Sequence, residues 1–315
     1  MNLPPSDSLR RRGGWKGWLA AIVGGAGAAQ AAPPAAPPTP AEPPAAPSPA
    51  ADGSALARAD VLVYKPDVKP KLRLHLARPD AARFPGPRPC IVFFHGGGWR
   101  SGDPKQFQAY ASRLAELGVV GISAQYRLMR DGDELPLEAV RDARSALRFV
   151  RAKASQLGCD VQRIGAGGGS SGGHLAAMTA VPAPKGGLAL DETSDDLSVT
   201  PRPQALFLMN PPLNLERYDK PVPVEQRRQL SPTLLIDASL PPTWIFHGTA
   251  DKVVPFSQAT EFRDRARALG GGEVTVQAFP GRGHGFFNAK RGDGGDFEAT
   301  MTGIVAGLKK LGWVP

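Results

Sequence analysis

Cysteine is scarce in this chain: Cys90 and Cys159 are the two among 315 residues. None precedes Cys90, so no lipoprotein anchor near a cleavage site is expected. Histidine is almost as rare, at five, which leaves few candidates for proton transfer near neutral pH. No dense block of Lys and Arg occurs in the part that looks folded. The net charge of +9 therefore reads as a basic solvated surface, and nucleic-acid binding is not expected. No apolar run reaches the about 20 residues that a membrane span needs. No internal repeat is visible.

What is present divides the chain in three. Arg10-Arg11-Arg12 and Lys16 precede a short apolar stretch, residues 18–29, and then Ala29-Gln30-Ala31. Basic residues, an apolar stretch and an A-x-A-type site make a secretory signal peptide of residues 1–31. The expectation is export to the periplasm or the cell exterior, with no stable membrane insertion after cleavage. Gly13-Gly14 follows Arg11-Arg12 where a twin-arginine signal would carry other residues. Residues 32–57 are nearly all Ala and Pro, cannot bury a core, and read as a linker. Residues 58–315 have the size of a single α/β domain.

Within that domain strand-like and helix-like segments alternate. Strands are expected at 61–64, 72–77, 90–94, 119–123, 161–166, 205–209, 243–247 and 274–279. Residues 90–94 (Cys-Ile-Val-Phe-Phe) are apolar throughout, as in a strand covered on both faces. Helices are expected at 104–117, 137–157, 256–269 and 297–311. In the second of these, Leu137, Val140, Leu147, Val150, Ala154 and Leu157 form an apolar stripe that Arg144 interrupts. Strands separated by helices imply a mostly parallel eight-stranded sheet with helices on both faces. Segments 181–204 and 211–242 resist assignment, and each is placed to cover a site at the strand ends. If the sheet sets strands 90–94 and 161–166 side by side and parallel, their starts lie at the same edge. That geometry suggests a Cys90–Cys159 disulfide, with two buried free thiols as the other reading.

The most informative residues are Gly168-Gly169-Ser170-Ser171-Gly172-Gly173. They link an apolar strand to a helix-like run. A G-x-S-x-G turn at such a junction holds a nucleophilic serine in a strained backbone, where only very small neighbours fit. The run contains two overlapping matches, so steric reasoning alone does not separate Ser170 from Ser171.

Acyl transfer also needs a base, a group orienting the base, and donors for the oxyanion. His95-Gly96-Gly97-Gly98-Trp99 follows a strand, and its glycines can turn N–H groups toward one point. One such donor is typically worth about 3 kcal/mol of transition-state stabilisation. Among the histidines, His75 lies in a hairpin, His95 in the glycine loop and His174 at the start of a helix. His284, in Gly283-His284-Gly285 after the last strand, is free to reach a serine, and His247 is the second candidate. Asp251 lies in a loop between serine and histidine, in the order Ser…Asp…His. Asp237 and Asp264 sit in helix-like context, as caps or solvated charges.

These motifs, spread over residues 89–287, resemble the α/β-hydrolase esterases of the hormone-sensitive-lipase-like and acetylxylan-esterase-like groups. The matching runs are His-Gly-Gly-Gly-Trp at 95–99, Ser-Ser-Gly-Gly-His-Leu-Ala at 170–176, His-Gly-Thr-Ala-Asp at 247–251 and Gly-His-Gly-Phe at 283–286. Arg163-Ile164-Gly165 also stands where such esterases often carry it. The resemblance implies an α/β-hydrolase fold, Ser170 as nucleophile, Asp251 as acid and His284 as base. It further implies oxyanion donors from Gly97, Gly98 and Ser171. Ser171 replaces the usual alanine of the group, and Gly169 stands where many relatives carry a larger residue. No metal or cofactor is implied.

The resulting expectation is an exported serine esterase acting on small-molecule or carbohydrate esters, with acetyl or other small acyl groups favoured. A lipase or broad carboxylesterase for longer chains is the alternative, but residues 211–242 hold many charges for an apolar lid. A peptidase would call for an extra domain, and a non-catalytic binding relative would be expected to lack triad members.

Overall fold

Apolar strand residues of both parities are buried in this chain, so both faces of its sheet are covered. Ile91 and Phe93 point to one face, Cys90, Val92 and Phe94 to the other, and all five are 0% exposed. The computed structural model describes residues 60–184, 186–218 and 222–315, within the unit Gly53–Pro315. The expected signal peptide and linker lie outside the described residues.

Eight strands form one sheet: β1 (Asp60–Lys65), β2 (Leu72–Ala77), β3 (Arg88–Phe94), β4 (Val120–Ala124), β5 (Cys159–Gly169), β6 (Ala205–Met209), β7 (Thr243–Gly248) and β8 (Val274–Phe279). Their order is β1-β2-β4-β3-β5-β6-β7-β8. β2 runs antiparallel to both neighbours, and β3 to β8 are parallel. The helices are α1 (Gln108–Glu116), α2 (Leu137–Ala152), α3 (Ala154–Leu157), α4 (Ser171–Ala180), α5 (Val224–Arg228), α6 (Pro232–Leu235), α7 (Ser257–Ala268) and α8 (Gly295–Lys310). This is the α/β-hydrolase arrangement the motifs implied. Among the described residues no helix is long and apolar enough to cross a membrane.

One core cluster joins Ile91, Phe93, Phe207, Met209, Trp244 and Phe246 of the sheet to Tyr110 and Leu114 of α1 and Met301, Ile304 and Leu308 of α8. Phe93 stacks on Phe107 at 5.0 Å. On the other side α2 packs against α4 and β1.

Four expectations change. The helix expected over 104–117 begins as a separate 3-10 turn, Pro104–Phe107, capped by Asp103. The helix expected over 137–157 breaks at Lys153 into α2 and α3; no Gly or Pro marks the break in sequence. The disulfide is not formed: Cys90 and Cys159 are both buried and free. Finally, the segment around 186–204 is pinned to α2 and β1 by ion pairs. Arg144 binds Asp191 at 2.6 Å, Arg148 binds Asp191 at 2.7 Å, and Lys65 binds Glu192 at 2.8 Å. Arg144, the break in the apolar stripe, also donates to the Met178 and Val181 carbonyls.

Candidate functional site

The parallel strands β3, β5 and β7 deliver their loops to one edge of the sheet, where open α/β sheets place their sites. The glycine loop follows β3, the two serines follow β5, and Asp251 follows β7. Among the described residues, three other than glycine have positive φ: Trp99 (60°), Ser170 (53°) and Asn210 (44°). They follow β3, β5 and β6, so backbone strain of roughly 1–3 kcal/mol each is concentrated at that edge.

The two serines, equivalent in sequence, are not equivalent in space. Ser170 takes the strained conformation, φ 53° and ψ −124°, and its N–H is held by the Met209 carbonyl at 2.8 Å. Ser171 is the first residue of α4. A Cβ on Gly168 would lie 2.6 Å from the Gly172 carbonyl carbon, and one on Gly172 would lie 2.0 Å from the Phe94 carbonyl oxygen. These two glycines, which flank Ser170, are the pair that pack together. The pair flanking Ser171 behaves differently: a Cβ on Gly169 would meet the Phe287 ring at 2.2 Å, and one on Gly173 would meet Gly168 and Pro211. Gly169 is therefore small because Phe287, three residues after His284, sits on it. The Ser171 hydroxyl is fully buried, caps nothing, and has no hydrogen-bond partner among the described residues.

His284 Nε2 lies 2.8 Å from Ser170 Oγ, and its Nδ1 lies 2.7 Å from Asp251 Oδ2. Asp251 Oδ1 accepts the Val253 and Val254 N–H groups at 2.8 and 2.9 Å. Burial pushes the Asp251 carboxyl up, but hydrogen bonds with His247 and His284 and from the Val254 N–H outweigh it. The carboxyl is held well below the usual carboxylate range. An ionised Asp251 fixes Nδ1–H on His284 and leaves Nε2 free to accept a proton from Ser170. His247, the second histidine candidate, is fully buried. Its Nε2 faces the Val254 carbonyl at 2.9 Å and Asp251 at 3.6 Å, so it backs the acid and does not reach the serine loop.

The glycine loop crowds the same point. A Cβ on Gly96 would stand 3.0 Å from the Gly169 carbonyl oxygen and 3.4 Å from Ser170 Cβ. Among the described residues the Gly97 and Gly98 N–H groups make no hydrogen bond. His95 is occupied elsewhere: it stacks on Tyr126 at 4.2 Å, and the Tyr126 hydroxyl donates to its carbonyl at 2.8 Å.

The sequence places His174 only at the start of a helix, and its partners are not legible there. Trp99 Nε1 donates to His174 Nδ1 at 3.2 Å, and His174 Nε2 donates to the Leu230 carbonyl at 2.8 Å. An indole N–H can only donate and a carbonyl can only accept, so the His174 tautomer is fixed. Burial pushes its pKa down to about 4, and the ring stays neutral above that. One side chain thus ties the glycine loop to α4 and to segment 211–242. Among the described residues no cluster of His, Cys, Asp and Glu is arranged to hold a metal ion.

The BD-FAE family model matches residues 75–205 and 218–266, more than half of the chain. The chain belongs to the BD-FAE family. It is also similar to Esterase LipC of Mycobacterium tuberculosis, at 31% identity over 220 residues, 64% of this chain and 53% of LipC. The chain spans about half the length of the curated relatives it matches. Among solved structures it is similar to the native Est2 esterase of the Planctomycetes species Thermogutta terrifontis. Identity is 36% and the TM-score 0.74, covering 82% of this chain and 94% of that one. That esterase has also been solved phosphorylated by paraoxon and with propionate or butyrate bound. Its fold is that of an α/β-hydrolase, and the solved structures it resembles are esterases.

Proposed function

We propose that this chain is an exported serine esterase that hydrolyses short-chain carboxylic esters. The observation that carries the reading is the continuous hydrogen-bond chain Asp251–His284–Ser170, ending on a serine with strained backbone. Ser170 Oγ attacks the ester carbonyl as its proton passes to His284 Nε2. Asp251 stabilises the resulting imidazolium. The Gly97, Gly98 and Ser171 N–H groups bind the oxyanion. The tetrahedral species expels the alcohol, which takes the proton from His284. Water, deprotonated by the same histidine, attacks the acyl-Ser170 ester and releases the acid. All of these groups belong to the chain itself.

Short acyl groups are favoured by analogy with the propionate- and butyrate-bound forms of the Thermogutta terrifontis esterase. The charges of segment 211–242 stand against an interfacial lipase lid. An acetylated or otherwise acylated carbohydrate suits an exported enzyme. Export itself rests on the basic, apolar and Ala-Gln-Ala pattern of residues 10–31.

The test is a hydrolysis panel of nitrophenyl esters of rising chain length beside acetylated xylan, for wild type, Ser170→Ala and Ser171→Ala. Acetyl to butyryl esters should turn over fastest. Ser170→Ala should lose hydrolysis, and Ser171→Ala should stay within about tenfold of wild type, because its N–H survives the change. Full activity in Ser170→Ala would overturn the mechanism.

A further inference from the structure

The glycine loop and the histidine loop are both poor in side chains that could hold them. Gly96, Gly97 and Gly98 make up most of the first, and Gly281, Gly283 and Gly285 alternate through the second. An oxyanion site and a proton acceptor nevertheless have to be held relative to each other within a fraction of an ångström. A displacement of about 1 Å can cost about a hundredfold in rate. The structure contains a direct link between the two loops. The Gly96 N–H donates to Gln106 Oε1 at 2.6 Å. Gln106 Nε2 donates to Asn288 Oδ1 at 2.7 Å. Asn288 Nδ2 donates to the Gly285 carbonyl at 2.7 Å.

The direction of this relay is set by its ends. A backbone N–H can only donate, so Gln106 must present its oxygen to Gly96. A carbonyl can only accept, so Asn288 must present its nitrogen to Gly285. With both ends fixed, the central pair meets as nitrogen to oxygen, and neither amide can flip without setting like against like. Gln106 is itself held in the capped 3-10 turn Pro104–Phe107. Asn288 follows Phe287, whose carbonyl accepts the Tyr110 hydroxyl at 2.6 Å and whose ring sits on Gly169. The relay ends one residue from Gly97 and one residue from His284.

We propose that Gln106 and Asn288 are positioning residues that lock the oxyanion loop and the histidine loop in register. The proposal rests on Ser170 and His284 acting as described above. Neither residue touches the reacting atoms, so each acts through the loop it holds.

The test is a double-mutant cycle on kcat and KM for nitrophenyl acetate, with melting temperature followed in parallel. It uses wild type, Gln106→Ala, Asn288→Ala and the double variant, with Ser170→Ala beside them. Each single variant should lower kcat about ten- to a hundredfold with KM within about threefold. The double variant should be no slower than the worse single, because the relay is already cut. Gln106→Glu, which keeps the acceptor for Gly96 but loses the donor to Asn288, should resemble Asn288→Ala. Singles within twofold of wild type, losses that multiply in the double, or losses that simply follow melting temperature would each overturn the proposal. Failure of the esterase reading is separate and visible: wild type would not turn over, or Ser170→Ala would.

Discussion

Two irregular regions of this molecule are held in opposite ways. Around Ser170 the chain is fixed by neutral hydrogen bonds and close glycine contacts: Trp99 to His174, His174 to Leu230, Gly96 to Gln106, Gly168 against Gly172. Around residues 186–204 it is fixed by charge. Asp142 is fully buried between Lys65 and Arg127, Glu192 binds the same two cations, and Asp191 binds Arg144 and Arg148. Neutral bonds are directional and indifferent to pH near neutrality. They suit a site where one histidine must change charge while its surroundings do not. Ion pairs suit a segment that has only to stay attached. Asp251 bridges the two modes, as a buried carboxylate whose partners are two histidines and two backbone N–H groups.

The largest expected effect breaks the neutral side at its one charged point. Asp251→Asn keeps the Oδ1 bonds to Val253 and Val254 but no longer fixes the His284 tautomer. A fall of about 10⁴-fold in kcat is expected, with melting temperature changed far less. Steady-state kinetics and a thermal melt on one preparation check both halves. An activity loss that merely tracked unfolding would contradict the division.

On the charged side, Asp142→Ala leaves Lys65 and Arg127 facing a buried gap. A loss of about 3–5 kcal/mol in unfolding free energy is expected, since one partner of a buried pair is removed. Denaturant titration reads it, and kcat of the fraction that remains folded should stay close to wild type.

His174→Ala comes next. It frees Trp99 from α4 and lets the glycine loop relax, so kcat should fall about ten- to a hundredfold with KM little changed. His174→Asn should recover part of the loss, because an amide can still meet one of the two partners.

The smallest effect is in pH. Burial pushes the Asp191 and Glu192 carboxyls up, and their Arg and Lys partners more than reverse this. Both folded-state pKa values therefore lie below the unfolded ones. Their contribution to stability is present above the unfolded carboxylate range of about 4. It is lost as pH falls through that range toward the lower folded values. Asp191→Asn should flatten the fall in melting temperature between about pH 5 and 3. An unchanged acid slope would show that these pairs do not hold the segment.

The same division explains what could be read from the sequence. Strands β2, β6 and β8 fall on the residues expected, because buried apolar runs and two-residue alternation are local signals. The motif residues Ser170, Asp251 and His284 were legible because each sits in a short run after a strand. Three facts depended on contacts across the chain. Spacing left Ser170 and Ser171 equivalent, the family resemblance favoured Ser170, and the physical reason is which glycines touch. Segments 181–204 and 211–242 looked alike as unassigned stretches placed to cover a site. One is pinned to α2 by charge, whereas the other carries the Leu230 carbonyl that meets His174. Gln106 and Asn288 stand 182 positions apart, and no local pattern singles out either. Lys153 ends α2 without a breaker, so periodicity ran on through it.

The central claim is that Ser170, and not its neighbour, is activated by His284. The most direct measurement is peptide mapping by mass spectrometry after reaction with a fluorophosphonate. One adduct on Ser170 is expected, absent in Ser170→Ala and formed far more slowly in His284→Ala. An adduct on Ser171, or labelling at an undiminished rate without His284, would contradict the account.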